Sequence, residues 1–163
     1  MNITPIDSKL ADEIRQKAVE SPRRRSHHCF HQQPTSPLQR MLVVMEPESY
    51  VAPHRHTKPK KEETILILQG AGAVVTFDLE GNIQKVDGLC PDKGLFGVDI
   101  AAGHYHTLLS LEPGTTFFEC KAGPYQPTAA DDFAPWSPVE GQPEVLGYHQ
   151  MLVSEVKKAL SWD

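Results

Sequence analysis

No apolar run in this 163-residue chain approaches the roughly 20 residues that a membrane-spanning helix needs. The opening segment, MNITPIDSKLADEIRQ, is polar and amphipathic and lacks the apolar stretch of a secretory signal, so a cytoplasmic location is expected. Cysteine is scarce. Cys29, Cys90 and Cys120 are odd in number and form no CxxC pair, which argues against a disulfide framework and for reduced, buried thiols. An excess of basic charge is missing too: 16 Lys and Arg face 21 Asp and Glu, for a net charge of −5. A nucleic-acid partner is therefore not expected, and Arg23-Arg24-Arg25 is an isolated basic run. No Ser/His/Asp set is evident. Gly70-Ala71-Gly72 is followed by no helix, so it reads as a hairpin turn and not as a phosphate-binding loop.

What is present fits one globular domain: 39% apolar and 23% charged residues. Ile6, Leu10, Ile14, Ala18 and Val19 recur at helical spacing and predict a helix over 5–20, ended by Pro22. Residues 21–37, with Pro34 and Pro37, read as an irregular arm. From residue 41 the pattern changes to short β-branched and aromatic runs, at 41–45, 49–54, 63–68, 71–79, 83–86, 95–100, 106–111 and 115–121. Turn signals such as Glu80-Gly81-Asn82 and Glu112-Pro113-Gly114 separate them. This rhythm predicts an antiparallel sandwich or barrel, and the lack of crossover helices argues against a parallel sheet. A proline-rich stretch from Gly123 to Pro143 must run over the surface, and a second helix is expected over 147–161 through Leu152, Val153, Val156 and Leu160. The expected organisation is an N-terminal helix and arm (1–37), a β-barrel (38–123), and a wrap with a C-terminal helix (124–163).

Four residues carry the chemistry. His54 and His56 lie two apart in a strand-like run, so both imidazoles share one face. Glu63 opens the next strand after a turn at 57–62, and His106 follows Gly103. Three imidazoles and a carboxylate suit one divalent transition ion (Fe, Mn, Co, Ni, Cu or Zn) and not calcium, which takes oxygen ligands. Glu62 and His104 are the rivals of Glu63 and His106. The spacing to Gly70 favours Glu63, and the position after the turn favours His106.

The order His-x-His, Glu63, Gly70, then Gly103-x-x-His106 resembles the two motifs of the cupin superfamily. The interval from His56 to Glu63 is about two residues longer than that pattern, Ala101 stands where it usually has proline, and Ser110 stands where many cupins have asparagine. The resemblance implies a mostly β, cupin-type antiparallel barrel, a double-stranded β-helix or jelly roll with helices at both ends. The stretches RRRSHHCFH, SYVAPHRHTKPKKE, LEPGTTFFECKAGPY and DFAPWSPVEG further resemble the WbuC family, cupin metalloproteins encoded in some bacterial O-antigen clusters. That implies one metal per barrel, a homodimer by analogy, and no established reaction.

Arg25 and His31 are candidate anion-binding residues, because guanidinium suits phosphate and carboxylate; Arg24 is an alternative to Arg25. Glu119 and Lys121 alternate on one strand and are a candidate acid–base pair in the pocket. The expected ligand is a small sugar-like or hydroxy-acid molecule. Metal-dependent isomerase or epimerase chemistry, dioxygenase chemistry, binding without turnover and a metal-stapled structural dimer all stay open.

Overall fold

The computed structural model describes residues 3–162. Helix α1 (Ser8–Glu20) is followed by strands β1 (Arg25–Cys29), β2 (Leu38–Met45), β3 (Glu63–Gln69), β4 (Gly72–Phe77), β5 (Ile83–Leu89), β6 (Gly97–Ile100), β7 (Tyr105–Ser110) and β8 (Thr115–Ala122), and by helix α2 (Val145–Leu160). Among the described residues no helix is long and apolar enough to cross a membrane. All strand pairs are antiparallel. They form one sheet in the order β1-β2-β8-β3-β6 and another in the order β5-β4-β7.

The expected antiparallel jelly roll with a helix at each end is present, and two details of the expectation are refined. The sheets are not joined by a strand pair into a closed barrel; they face each other as an open jelly-roll sandwich of five and three strands. The arm at 21–37 is not wholly irregular either, because β1 pairs with β2 from Arg25↔Met45 to Cys29↔Met41. Arg and His are ordinary edge-strand residues, and their polarity concealed a strand that has one face toward solvent. The run at 49–54 is the opposite case: it forms only an isolated bridge at His54 and no regular strand.

Side-chain parity explains the packing. Met45, Ile65, Ile67, Val74, Leu89, Leu108 and Phe117 fill the space between the sheets. The intervening residues of the smaller sheet, Ala73, Val75, Phe77, Tyr105 and Leu109, pack outward against Leu152 and Val156 of α2. Both faces of β4 and β7 are thus buried, which is why these strands read as apolar runs without alternation. Helix α1 covers Leu42 and Val44 on the outer face of β2 through Ile14. Its expected stripe is narrower than the periodicity suggests, since Ile6 and Val19 are exposed. Asp7 caps it by accepting a hydrogen bond from the Leu10 amide.

Two glycines should respond oppositely to the same substitution. A Cβ at Gly72 would lie 2.5 Å from Phe117 Cζ and 2.7 Å from the Leu109 carbonyl oxygen, whereas one at Gly147 in α2 meets nothing within 4 Å. Gly72→Ala is expected to destabilise by about 1–3 kcal/mol through overpacking, and Gly147→Ala to stabilise by about 0.5–1 kcal/mol through helix propensity. Denaturant midpoints of the two variants check both signs.

Candidate metal centre

The histidine segment is stitched into the smaller sheet by its backbone. The His54 amide donates to the His106 carbonyl (3.0 Å) and the His106 amide donates to the His54 carbonyl (2.9 Å). On its other side the Ala134 amide donates to the Pro53 carbonyl and the Arg55 amide to the Asp132 carbonyl, both at 2.9 Å. His54 and His56 are thereby held on the three-stranded side of the sandwich, while Glu63 stands on β3 of the five-stranded sheet. The expected hairpin between His56 and Glu63 is instead a crossing from one sheet to the other. Gly103, at φ 89°, makes the turn that feeds His106 into β7.

The four side chains converge. One ligand atom from each of His54, His56, Glu63 and His106 lies within 4.8 Å of all the others. Glu63 and His106 are buried, at 4% and 3% exposure, while the rivals Glu62 and His104 are exposed to solvent. His54 Nδ1 sits 3.0 Å from the Ala52 carbonyl, which can only accept, so the proton is on Nδ1 and Nε2 keeps its lone pair. His56 Nε2 is buried without a hydrogen-bond partner, 3.5 Å from Glu63 Oε2. His106 has an oxygen acceptor at each nitrogen: the His104 carbonyl at 2.9 Å from Nδ1 and Glu63 Oε1 at 2.8 Å from Nε2. Two oxygen acceptors favour the doubly protonated ring when no ion is bound.

The electrostatics follow from this arrangement. Burial, reinforced by the charge on His106, pushes His54 down to about 3. His106 is raised: burial opposes its charge, but the hydrogen bond and field of Glu63 outweigh that cost. Burial likewise opposes the charge on Glu63, yet His106, His56 and Lys121 hold its carboxyl well below the ordinary carboxylate range.

Lys121 and Glu119 extend the cluster along β8. The Lys121 ammonium donates to Glu63 Oε2 at 3.3 Å and forms an ion pair with Glu119. Burial disfavours the ammonium, but these two carboxylates raise its pKa above that of an ordinary lysine. Lys121 is therefore held as a cation, which leaves the carboxylate of Glu119 as the only base the pair could offer. His54, Glu63, His106, Glu119 and Lys121 line one cavity of about 420 Å³, with Arg23, Arg25, Phe133 and Glu140 also on its wall. His31 does not reach it. Its Nδ1 accepts from the Arg40 amide at 3.1 Å, and it lines an adjoining trench of about 510 Å³ that shares Arg25, Glu119 and Lys121 with the cavity. Arg24 turns away toward Glu48.

Sequence reasoning missed Asp132, Phe133, Arg23 and Glu140. Asp132, at 2% exposure, accepts from the Thr57 amide at 3.0 Å and lies 3.6 Å from Arg55 Nε. It braces the loop that follows the histidines. The segment DFAPWSPVEG carried a family resemblance but no chemical spacing, so its acids had no visible partner in the linear sequence.

The metal-free protein should lose stability as pH falls below the ordinary histidine value of about 6.5. Unfolded chains gain a proton on His54 there, while the folded site refuses it down to about 3. His106 has the opposite sign: its raised pKa contributes stability that is complete below 6.5 and fades as pH rises through the folded value. His54→Gln should therefore flatten the acid limb by up to about 1.4 kcal/mol per pH unit, measured by urea unfolding between pH 4 and pH 6.5. An unchanged slope would contradict the assignment.

The comparisons with known proteins bear on the fold. CapF, the capsular polysaccharide assembling protein of Staphylococcus aureus, superposes in its complex with 3-isopropenyl-tropolone at a TM-score of 0.50 and 19% identity, over 66% of this chain and 30% of CapF. A conserved Streptococcus pyogenes protein of unknown function superposes at 0.51 with 12% identity, over 77% of this chain and 92% of that one. KdgF from a Halomonas species reaches 0.48 with 19% identity, over 65% and 84%. The chain thus spans less than a third of CapF. CapF is a cupin-fold protein, and the two-sheet architecture here is of the same jelly-roll type. No curated protein matches the chain in sequence. A family model described as "Domain of unknown function (DUF6016)" matches residues 6–89, more than half of the sequence, and the chain belongs to that family.

Proposed function

We propose that this protein is a metal-binding cupin whose cavity takes a small, oxygen-rich molecule such as a sugar or hydroxy acid. The observation that carries the reading is the convergence of His54, His56, Glu63 and His106, three of which (His54, Glu63 and His106) line a cavity of about 420 Å³. Cavities of about 300–1,000 Å³ are typical of small-molecule sites. The donor set fits a divalent transition ion. His54 Nε2 has a free lone pair, and His56 Nε2 is a buried nitrogen with no partner, which is costly unless something binds it. Donors about 2.0–2.2 Å from one ion lie at most about 4.4 Å apart, and the observed spread of 4.8 Å is within side-chain adjustment of that limit.

When bound, the ion supplies Lewis acidity toward a ligand oxygen, lowers the pKa of a bound water, or binds O₂. The residues of the chain set what surrounds it. Glu63 carries negative charge to the centre, and His54 and His106 hold fixed tautomers through backbone carbonyls. Lys121 keeps a positive charge beside the ligand space. A role in bacterial surface polysaccharide assembly, in a cytoplasmic homodimer, is supported by the resemblance to the WbuC family and by the fold shared with CapF. A second reading, ligand binding without turnover, is favoured by a specific observation. Among the described cavity residues, every carboxylate and lysine is already paired: Glu63 with His106 and Lys121, Glu119 with Lys121, Glu140 with arginine.

The protein should purify with about one first-row transition ion per chain, and His56→Ala and His106→Ala should each retain far less; elemental analysis showing unchanged content in both would overturn the reading. Binding should also displace the Nε2 proton of His106. Calorimetry in buffers of different ionisation enthalpy should therefore detect proton release on metal binding that shrinks as pH rises; no release at any pH would contradict the assignment. Metal content should fall on acidification through the ordinary histidine range near 6.5.

A further inference from the structure

On the wall of the cavity that His54, Glu63 and His106 also line, one carboxylate occupies two arginines. Glu140 accepts from Arg25 at 2.9 and 3.0 Å and from Arg23 at 2.9 and 2.8 Å, each guanidinium gripping both oxygens. Arg25 is fixed from behind by the Tyr50 carbonyl (2.9 Å) and Ser49 Oγ (3.2 Å), and its side chain is 14% exposed. Arg24 between them takes a left-handed backbone conformation, φ 54°, that is unfavourable for a residue with a Cβ. Two guanidiniums and one carboxylate leave a net positive charge on the cavity wall, while the neighbouring Lys121 is matched by Glu119 and Glu63.

The occupant differs from its seat. Arg25 belongs to a sheet strand, whereas Glu140 lies in the irregular segment before α2, on a turn in which Gln142 bonds Val139 through both backbone and side chain. Gly141 follows at φ 93°, with nothing within 4 Å of its absent Cβ. Arg25, the inner half of the seat, is held by the sheet and by three backbone and side-chain partners, whereas Arg23 and Glu140 sit on irregular backbone at the surface.

We propose that the Arg23–Arg25 pair is the subsite for the carboxylate of a small hydroxy acid or sugar acid, and that Glu140 is an internal stand-in which the ligand displaces. A carboxylate is the chemistry indicated because one already satisfies the seat, with bidentate geometry at both arginines. The inference rests on the metal-centre reading for the other end of the ligand, whose hydroxyl or carbonyl oxygen would face the histidine cluster across the shared cavity. Displacement makes affinity a competition: Glu140 lowers it, and removal of Glu140 leaves Arg25 half-buried without a counter-ion, which favours an incoming anion.

The test uses D-glucuronate and its neutral counterpart D-glucose as probes, titrated calorimetrically into full-length protein in metal-loaded and chelator-treated forms. Glu140→Gln and Glu140→Ala should each bind glucuronate at least about tenfold more tightly than wild type, which corresponds to about 1.4 kcal/mol. Arg25→Met should bind it at least tenfold more weakly, and glucose should not discriminate among the variants. In wild type, glucuronate should raise amide hydrogen exchange around residues 138–143, as Glu140 leaves its seat. Equal glucuronate affinity in wild type and both Glu140 variants overturns the proposal and leaves the cluster a structural staple. No binding by Glu140→Gln at millimolar glucuronate overturns it as well. The chelator-treated arm reads the arginine seat alone, so a tightened response there, with metal content indifferent to His56→Ala and His106→Ala, would sink the metal reading and spare this one.

Discussion

A carboxylate buried to 4% exposure stays charged only if its surroundings replace the water it has lost. Glu63 meets that condition with His106 at one oxygen and Lys121 and His56 near the other. Those partners come from three places: β7, β8 and the loop that crosses between the sheets. The satisfaction of one charge therefore ties together the two halves of the sandwich at the end where the cavity opens. Much of the local design follows from that constraint. His54 must remain neutral beside His106, Lys121 must remain charged, and Glu119 must balance it.

The backbone makes this possible by an unusual division. The histidine segment is too short and too proline-flanked to run as a strand, yet the reciprocal amide–carbonyl pair between His54 and His106 fixes it to β7. Phe133 and Asp132 then close its other edge. A chain element far along the sequence thus completes the sheet side on which three of the four clustered side chains ride.

The legible parts of the sequence were those with a period or a motif. Alternation and turn residues disclosed the strands of the sandwich, and helical spacing disclosed α1 and α2. The spacing of His54, His56, Glu63 and His106 disclosed which side chains would meet, because motif distances reflect strand lengths and turns. Less legible were features set by distant partners. Arg25–Cys29 looked irregular because an edge strand can be polar. Closure into a barrel could not be read, since two facing sheets and a continuous barrel share the same alternation. Asp132 and Glu140 had no chemical spacing to their partners Thr57 and Arg25, which lie 75 and 115 residues away in the chain.

The packing of the two sheets separates what holds the protein together from what meets its ligand. Phe117, Leu89, Val74 and Leu109, essentially without exposure, sit under the overlap of the two sheets and the cover of α2. Arg23, Arg25, Glu119 and Glu140 instead line the cavity. Folding energy and recognition thus draw on different residues. Descendants of this chain could exchange one such cavity residue for another and acquire a new ligand while the dry half of the sandwich, and with it the fold, stayed as it is.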